Sequence, residues 1–154
     1  STAGHLVLDS GCTRSCFKDK SYFKTYEVVK NHSFKLGNGS TRMKSMGFGD
    51  VEVPLRNGNV LKLTNVAHCP GAAANYVAQR RLRDDGYRLK FVGESDDILI
   101  TKNGENICKT SGTKSRLFLI PIAKQDDNGA WFEERGQGKS LWKWHLSLGH
   151  APSR

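Results

Sequence analysis

An aspartate at the end of a short apolar segment is the strongest candidate for chemistry in this sequence. Residues 5–8 (His-Leu-Val-Leu) predict a short strand, and Asp9, Ser10 and Gly11 follow it directly. Small residues at this place predict a tight turn, which holds the carboxylate rigidly against backbone N–H groups and a neighbouring hydroxyl. Such a carboxylate can position a water molecule. By itself, however, the triplet favours a simpler interpretation, in which Asp9 only caps a structural turn.

Amide hydrolysis is the reaction that this water would serve, and a single carboxylate performs it poorly. One group must take a proton from the water while another protonates the substrate oxygen. Two adjacent carboxylates that share a proton provide both functions, because their close approach forces their two pKa values apart. The chain contains a single Asp-Ser-Gly triplet. A pair therefore requires a two-fold homodimer in which Asp9 of each subunit lies at the axis.

The composition indicates a soluble globular protein. The chain has 154 residues, of which 37% are hydrophobic and 25% are charged. This length supports an apolar core without disulfide bonds. No apolar run approaches the roughly 20 residues that cross a bilayer, so the sequence predicts no membrane association. The N-terminal residues lack the basic flank and the apolar stretch of a signal peptide.

The net charge of +9 is concentrated in the first part of the chain. Residues 1–91 contain 15 Lys and Arg against 7 Asp and Glu, whereas residues 92–154 contain 9 against 8. Such an excess attracts nucleic acid or an acidic partner, or it only keeps the surface soluble. The charges are mostly single, and Arg80, Arg81 and Arg83 form their one cluster. Because no known nucleic-acid motif accompanies them, the solubilising surface is the simpler interpretation.

Short segments with turn residues between them predict an all-β fold. Strands are predicted at residues 5–8, 33–36, 41–46, 48–55, 60–63 with an extension to 68, 87–91, 98–101, 106–108 and 117–122. Gly and Asn at 37–39, 57–58 and 103–104 predict hairpin turns. One helix is predicted, from an N-cap at Asn75 to about Asp85. Many short strands at this spacing are typical of a small barrel or sandwich.

The cysteines and histidines give no clear metal site. Cysteines stand at positions 12, 16, 69 and 108, without the paired CxxC spacing of a zinc ribbon, so they are predicted to be reduced thiols. His145 and His150 are the only two histidines with a suggestive spacing, and they lie in the last ten residues.

Four motifs in order resemble the protease region of Ty1/copia-type retrotransposon polyproteins. They are residues 8–13 (Leu-Asp-Ser-Gly-Cys-Thr), residues 35–40 (Lys-Leu-Gly-Asn-Gly-Ser), residues 66–71 (Val-Ala-His-Cys-Pro-Gly) with 75–77 (Asn-Tyr-Val), and residues 144–150 (Trp-His-Leu-Ser-Leu-Gly-His). The last motif resembles the start of the pre-integrase segment. Each motif is modest, but their order and spacing make the resemblance specific, and it covers almost the whole chain.

The resemblance implies a retropepsin-like aspartic protease. The expected fold is an all-β acid protease barrel with one short helix, followed by additional C-terminal strands and a tail. Asp9 is then the catalytic residue, Ser10 hydrogen-bonds across the dimer, and Gly11 lets the substrate backbone approach. The tip of the flap that closes over the peptide is assigned to residues Gly37, Asn38 and Gly39. The strand at residues 87–91 resembles the family's terminal strand, which contributes to the dimer sheet.

The same resemblance implies the biological setting. The homodimer is expected to cleave its own Gag-Pol polyprotein, without a metal or another cofactor, in cytoplasmic virus-like particles. The protease domain is assigned to residues 1–95, additional strands to 96–122, and a linker with the start of the pre-integrase segment to 123–154. His145 and His150 resemble the first half of an integrase zinc site, and this half-site is predicted to bind zinc poorly. The alternative is an inactive or domesticated protease fold that binds peptide or nucleic acid.

Two departures from the viral branch of the family are expected. Viral members usually carry an apolar-apolar-Gly triplet just before the helix, and alanines 72–74 are predicted to stand there. Viral members also pair an Asp beyond the catalytic triplet with an Arg at the helix start. Thr13 and Ala74 are predicted to occupy these two places, so both partners of the ion pair are missing together.

Overall fold

The secondary structure is almost entirely β. A computed structural model describes residues 4–36, 41–93, 97–112, 117–125 and 131–132. Its one α-helix in these residues is α1 (Gln79–Asp84), and a 3₁₀ turn covers Lys20–Tyr22. The strands are β1 (His5–Asp9), β2 (Cys16–Phe17), β3 (Glu27–Leu36), β4 (Thr41–Pro54), β5 (Val60–His68), β6 (Tyr76–Ala78), β7 (Tyr87–Phe91), β8 (Ile98–Lys102), β9 (Glu105–Lys109), β10 (Ser111–Gly112), β11 (Phe118–Pro121), β12 (Lys124–Gln125) and β13 (Trp131–Phe132). The prediction of an all-β fold with one short helix is confirmed.

The strand that leads to Asp9 lies inside the largest sheet. Eight strands follow the order β10-β11-β1-β6-β2-β5-β4-β3. β1 pairs antiparallel with β11 on one side and parallel with β6 on the other. Its three internal residues, Leu6, Val7 and Leu8, are all buried, so both faces of the strand are covered. A continuous apolar run is typical of a strand in such a place.

A second sheet of three strands, in the order β7-β8-β9, completes the core. The predicted hairpin turn between β8 and β9 is confirmed, because Asn103 and Gly104 both adopt positive φ, at 53° and 81°. The Tyr87 hydroxyl accepts a hydrogen bond of 2.9 Å from the backbone N–H of Lys62, which joins β7 to β5. The main apolar cluster contains side chains from both sheets and the helix, among them Leu6, Phe17, Val53, Leu61, Leu82, Ile100 and Ile120.

The predicted helix start at Asn75 is wrong. Residues Tyr76–Ala78 form β6 and pair with β1, and the helix begins only at Gln79. Ala78 takes the N-cap position without a side-chain hydrogen bond. Asn75 and the apolar residues after it fit the first turn of a helix as well as a strand. Pairing with a buried neighbour strand decides between the two conformations, and the local pattern does not contain that information.

The predicted division of residues 41–55 into two strands is also wrong. Residues Thr41–Pro54 form a single strand of 14 residues, and its partner β3 begins at Glu27, six residues before the predicted start at Ser33. The two strands pair antiparallel up to Leu36 and Thr41, as the hairpin prediction requires. Val51, Val53 and Leu55, at alternate positions of this segment, are all buried.

The C-terminal strands extend the main sheet. β11 pairs with β1 and β10 pairs with β11, while β12 and β13 form a separate two-stranded sheet. The predicted flap tip at residues 37–39 and the histidines at 145 and 150 lie outside the described residues. In the part of the chain that the structure describes, no helix is long and apolar enough to cross a membrane.

Candidate active site

The Asp9 carboxylate is held by its own turn. Its Oδ1 accepts a hydrogen bond of 2.8 Å from the backbone N–H of Gly11, and its Oδ2 accepts one of 3.0 Å from the Cys12 thiol. Asp9 is partly exposed, and Ser10 and Gly11 are exposed. The turn therefore presents a carboxylate of fixed orientation at the surface. The predicted backbone N–H contact is present, but the second donor is a thiol and not the predicted neighbouring hydroxyl.

Strand β6 stabilises this turn by pairing with the strand that leads into it. Asp9 lies opposite Ala78 in the parallel pairing of β1 and β6. The chain then returns through Ser15, whose hydroxyl accepts a hydrogen bond of 3.0 Å from the backbone N–H of Ala78. The carbonyl of the fully buried Ser15 accepts another, of 2.9 Å, from the backbone N–H of Ala67. Ser15 thus joins the end of the turn to β6 and β5.

Removal of the Ser15 hydroxyl is expected to destabilise the protein. In Ser15→Ala the buried N–H of Ala78 loses its acceptor, which costs about 1–3 kcal/mol of unfolding free energy. Urea denaturation followed by the far-ultraviolet circular dichroism of the β-sheet measures the change. Ser21→Ala is the matched control, because Ser21 is exposed, and it should change the unfolding free energy by less than about 0.5 kcal/mol. Equal stability of the two variants would contradict the supporting role of Ser15.

Asn75 fixes the loop after β2 instead of capping a helix. Its side-chain Oδ1 accepts hydrogen bonds from the backbone N–H groups of Lys18 (2.8 Å) and Asp19 (3.4 Å). Its Nδ2 donates to the Asp19 carboxylate at 3.1 Å, and its carbonyl accepts from the Val7 N–H at 2.9 Å. Asn75 therefore connects the loop after β2 with β1 and with the start of β6, close to the Asp9 turn.

A half-buried apolar surface lies next to the turn and continues under the β3–β4 hairpin. Tyr76, Phe34, Met43 and Phe48 contact a buried cluster of small residues that includes Cys16. Burial raises the pKa of the Tyr76 hydroxyl, and the nearby Cys16, Asp9 and Cys12 raise it further. Phe34 and Met43 are direct partners in the register of the hairpin. The hairpin side chains Phe34 and Met43 thus pack against the same buried cluster as Tyr76, which interacts electrostatically with Asp9.

The corrected helix start overturns the placement of alanines 72–74 just before the helix. The triplet just before the helix is Tyr76-Val77-Ala78, not alanines 72–74, and it pairs directly with the strand that ends in Asp9. Strand β6 therefore lies beside β1 where the turn begins, and Val77 and Ala78 are fully buried there. The first helical residue is Gln79, so the position predicted for Ala74 belongs to Gln79.

Sequence reasoning missed three residues of this site: Cys12, Ser15 and Tyr76. Cys12 and Ser15 are small polar residues one and four positions after the triplet, and their burial was the missing information. All four cysteines are buried free thiols. Within the described ranges, no group of three or more His, Cys, Asp or Glu side chains lies close enough together to hold a metal ion.

The fold and the site together define the class of protein. It is an all-β domain with a rigidly held, exposed aspartate turn at the end of a central strand. A family model described as "Pol polyprotein, beta-barrel domain" matches residues 6–87, just over half of the 154 residues. The chain belongs to this family and is a region of a retroelement Pol polyprotein. The matched segment runs from β1 to the start of β7 and contains the Asp9 turn, the β3–β4 hairpin and β6. No curated protein and no solved structure matches the chain.

Proposed function

We propose that this chain is the aspartic endopeptidase of a Ty1/copia-type retroelement, active as a homodimer that processes its own Gag-Pol polyprotein. The observation that carries the proposal is the Asp9 carboxylate, fixed at the end of a buried central strand and partly exposed. Membership of the Pol polyprotein beta-barrel family agrees with it. A polyprotein must be cut into its parts, and a hydrolytic carboxylate inside it serves that need.

The dimer follows from the chemistry of the site. Both hydrogen bonds of the Asp9 carboxylate come from its own turn, so its outer side is free to meet a second carboxylate. One chain carries one Asp-Ser-Gly triplet. A two-fold axis at the turn brings two copies of Asp9 together, and the exposed Ser10 of each copy lies at the same contact. In this arrangement Ser10 holds the two turns against each other.

The reaction is water attack on a peptide bond. A water molecule between the two Asp9 carboxylates loses a proton to the ionised one, and the protonated one donates its proton to the scissile carbonyl oxygen. The tetrahedral intermediate collapses when the carboxyl group that took the water's proton gives it to the amide nitrogen. The other carboxylate takes a proton from a hydroxyl of the intermediate, the C–N bond breaks, and the pair again shares one proton. The proposal requires no metal and no other cofactor.

The substrate is an extended segment of the polyprotein, bound between the Asp9 turn and the β3–β4 hairpin. Phe34 and Met43 on the hairpin and Tyr76 beside the turn supply apolar contacts for its side chains. Gly37, Asn38 and Gly39 form the flap tip in this proposal, and closure of the flap excludes water from the reacting bond. The edge position of β3 in the sheet also suits the addition of an extended peptide strand.

The domain division is proposed with one addition. Residues 1–95 form the protease domain, and residues 123–154 form a linker and the start of the pre-integrase segment. Because β11 lies beside β1, we assign the additional strands of residues 96–122 to the same folded unit as Asp9. The site of action is the virus-like particle in the cytoplasm.

The dependence of cleavage on protein concentration tests this proposal. A polyprotein fragment is incubated with the chain over a hundredfold range of concentration. The proposal expects the rate to rise faster than linearly at low concentration, since two chains make one site. A peptide with a hydroxyl-containing isostere at the scissile bond should block the reaction by imitating the tetrahedral intermediate. A strictly linear rate that this isostere does not inhibit would overturn the proposal.

A second candidate function is nucleic-acid binding by an inactive protease fold. The distal part of the hairpin favours it, because residues 28–49 contain four Lys and Arg but no Asp or Glu, whereas Glu27, Asp50 and Glu52 lie near its base. Lys30, Arg42 and Lys44 are exposed there. Titration of a labelled single-stranded RNA at several salt concentrations tests this function. Affinity that falls steeply with salt, in a chain that cleaves nothing, would favour the binding module. Absence of binding at low salt would exclude it.

A further inference from the structure

The second oxygen of the Asp9 carboxylate has a donor that lies outside the Asp-Ser-Gly triplet. The Cys12 Sγ lies 3.0 Å from Asp9 Oδ2, while the Gly11 N–H lies 2.8 Å from Oδ1. Cys12 is only 3% exposed, although its neighbours Gly11 and Thr13 are exposed. The turn therefore directs one thiol inward, beneath the carboxylate that it presents to solvent.

We propose that Cys12 is a positioning residue for Asp9, whose thiol holds the carboxylate in the orientation that catalysis requires. This inference rests on the proposed function. A carboxylate with a donor on each oxygen cannot rotate about its Cβ–Cγ bond without losing both hydrogen bonds. A carboxylate held only by Gly11 can rotate. It then spends a smaller fraction of the time in the orientation in which it shares a proton with the second Asp9.

The other side chains near Asp9 do not hold its second oxygen in the way that Cys12 does. Cys16 interacts with Cys69, the residue that follows β5, and this interaction and burial raise the pKa of the Cys16 thiol. From β6, Tyr76 interacts electrostatically with Asp9, Cys12 and Cys16. Burial and the nearby charges raise the pKa of the Tyr76 hydroxyl, so it stays neutral over the working pH range. Cys12, through its hydrogen bond, and Tyr76, through its electrostatic interaction, are thus two titratable groups that face Asp9.

Variants at Cys12 separate positioning from packing. Cys12→Ala removes the donor, whereas Cys12→Ser keeps a donor in the form of a hydroxyl, which bonds a carboxylate more strongly than a thiol does. We expect kcat to fall about fivefold in Cys12→Ala with KM almost unchanged, because the interaction aligns the reacting carboxylate and does not bind peptide. The acid limb of the kcat/KM profile should move to higher pH, since a lost donor disfavours the ionised carboxylate. Cys12→Ser should restore both kcat and the acid limb.

Cys108→Ala is the matched control. Cys108 is also a buried thiol, but it lies on β9 in the other sheet. Rates are normalised to active sites by titration with the isostere inhibitor, so a smaller folded fraction does not imitate a catalytic defect. A purely structural role of Cys12 predicts that Ser is no better than Ala and that the acid limb stays in place. That result would overturn the inference, as would an equal loss of kcat in Cys108→Ala.

The S–H stretching band gives a readout that needs no activity. The difference between the infrared spectra of the wild type and Cys12→Ala isolates the Cys12 band. We expect this band to move to higher wavenumber in Asp9→Ala, because the acceptor has been removed. A band that does not move would overturn the inference even in a chain that cleaves nothing. Conversely, a shifted band in a chain without Asp9-dependent cleavage would support the contact and contradict the proposed function.

Discussion

Cleavage of a polyprotein fragment is expected to fall by at least about a thousandfold in Asp9→Asn, within the range that acid–base groups contribute. The amide has nearly the same size as the carboxylate, and its oxygen can still accept the hydrogen bond from the Gly11 N–H. It neither takes a proton from water nor supplies one to the carbonyl oxygen. Initial rates at several substrate concentrations give kcat/KM, and thermal unfolding shows that the variant folds.

The matched control for Asp9→Asn is Asp84→Asn. It makes the same change of charge at the end of the helix, where the carboxylate forms only an exposed ion pair with Arg81 at 3.2 Å. This variant should keep the wild-type rate. Retention of the wild-type rate by Asp9→Asn itself would disprove the assignment of Asp9 as the catalytic residue.

Mixed dimers show whether both copies of Asp9 are required. When wild type and Asp9→Asn are mixed in equal amounts and exchange freely, random pairing leaves about one quarter of the dimers with two carboxylates. Activity per total protein should therefore approach about one quarter of the wild-type value at the same total concentration. A value of one half would indicate that each chain works on its own, and the two-fold site would be wrong.

The Asp9 turn was predictable because its signal is local. A fully apolar strand followed by Asp-Ser-Gly specifies the turn, and Gly11 supplies the N–H that fixes Oδ1. The contacts from Cys12, Ser15 and Asn75 were not predictable, since each depends on a partner or on burial set by the fold. Asn75 and Asp19 are 56 positions apart in the chain. A side chain with such a partner has no distinguishing pattern in its own neighbourhood.

The prediction for the long strand β4 was wrong for a related reason. Gly47 and Gly49 weaken a strand by propensity, so the sequence pattern favours a break between residues 46 and 48. In the structure both glycines lie within the strand, at positions where other groups approach the backbone too closely for a side chain. A Cβ on Gly47 would overlap the Tyr26 ring, and one on Gly49 would overlap the Thr25 carbonyl oxygen. Only the fold reveals that these glycines permit close contacts and do not end the strand.

Gly49→Ala is accordingly expected to destabilise the protein by about 3 kcal/mol, the upper part of the usual range for overpacking. The added methyl group would also lie 2.7 Å from the Thr25 carbonyl carbon and 3.2 Å from the Phe23 ring. The backbone at Thr25 cannot yield cheaply, because two hydrogen bonds hold it to β4. The Lys24 N–H donates to the Asp50 carbonyl at 2.8 Å, and the Asp50 N–H donates to the Thr25 hydroxyl at 2.9 Å.

Thermal unfolding should show this loss as a decrease in Tm of roughly 10 °C, given the size of the chain. Gly71→Ala is the matched control, since a Cβ at Gly71 meets nothing within 4 Å. It should leave Tm nearly unchanged. Because Gly49 lies at the root of the hairpin, a folded fraction of Gly49→Ala should also cleave more slowly, as the hairpin no longer holds its angle to the sheet. Equal Tm values for the two alanine variants would show that the contact between Thr25 and β4 is looser than the structure has it, and the hairpin would then not be anchored at this point.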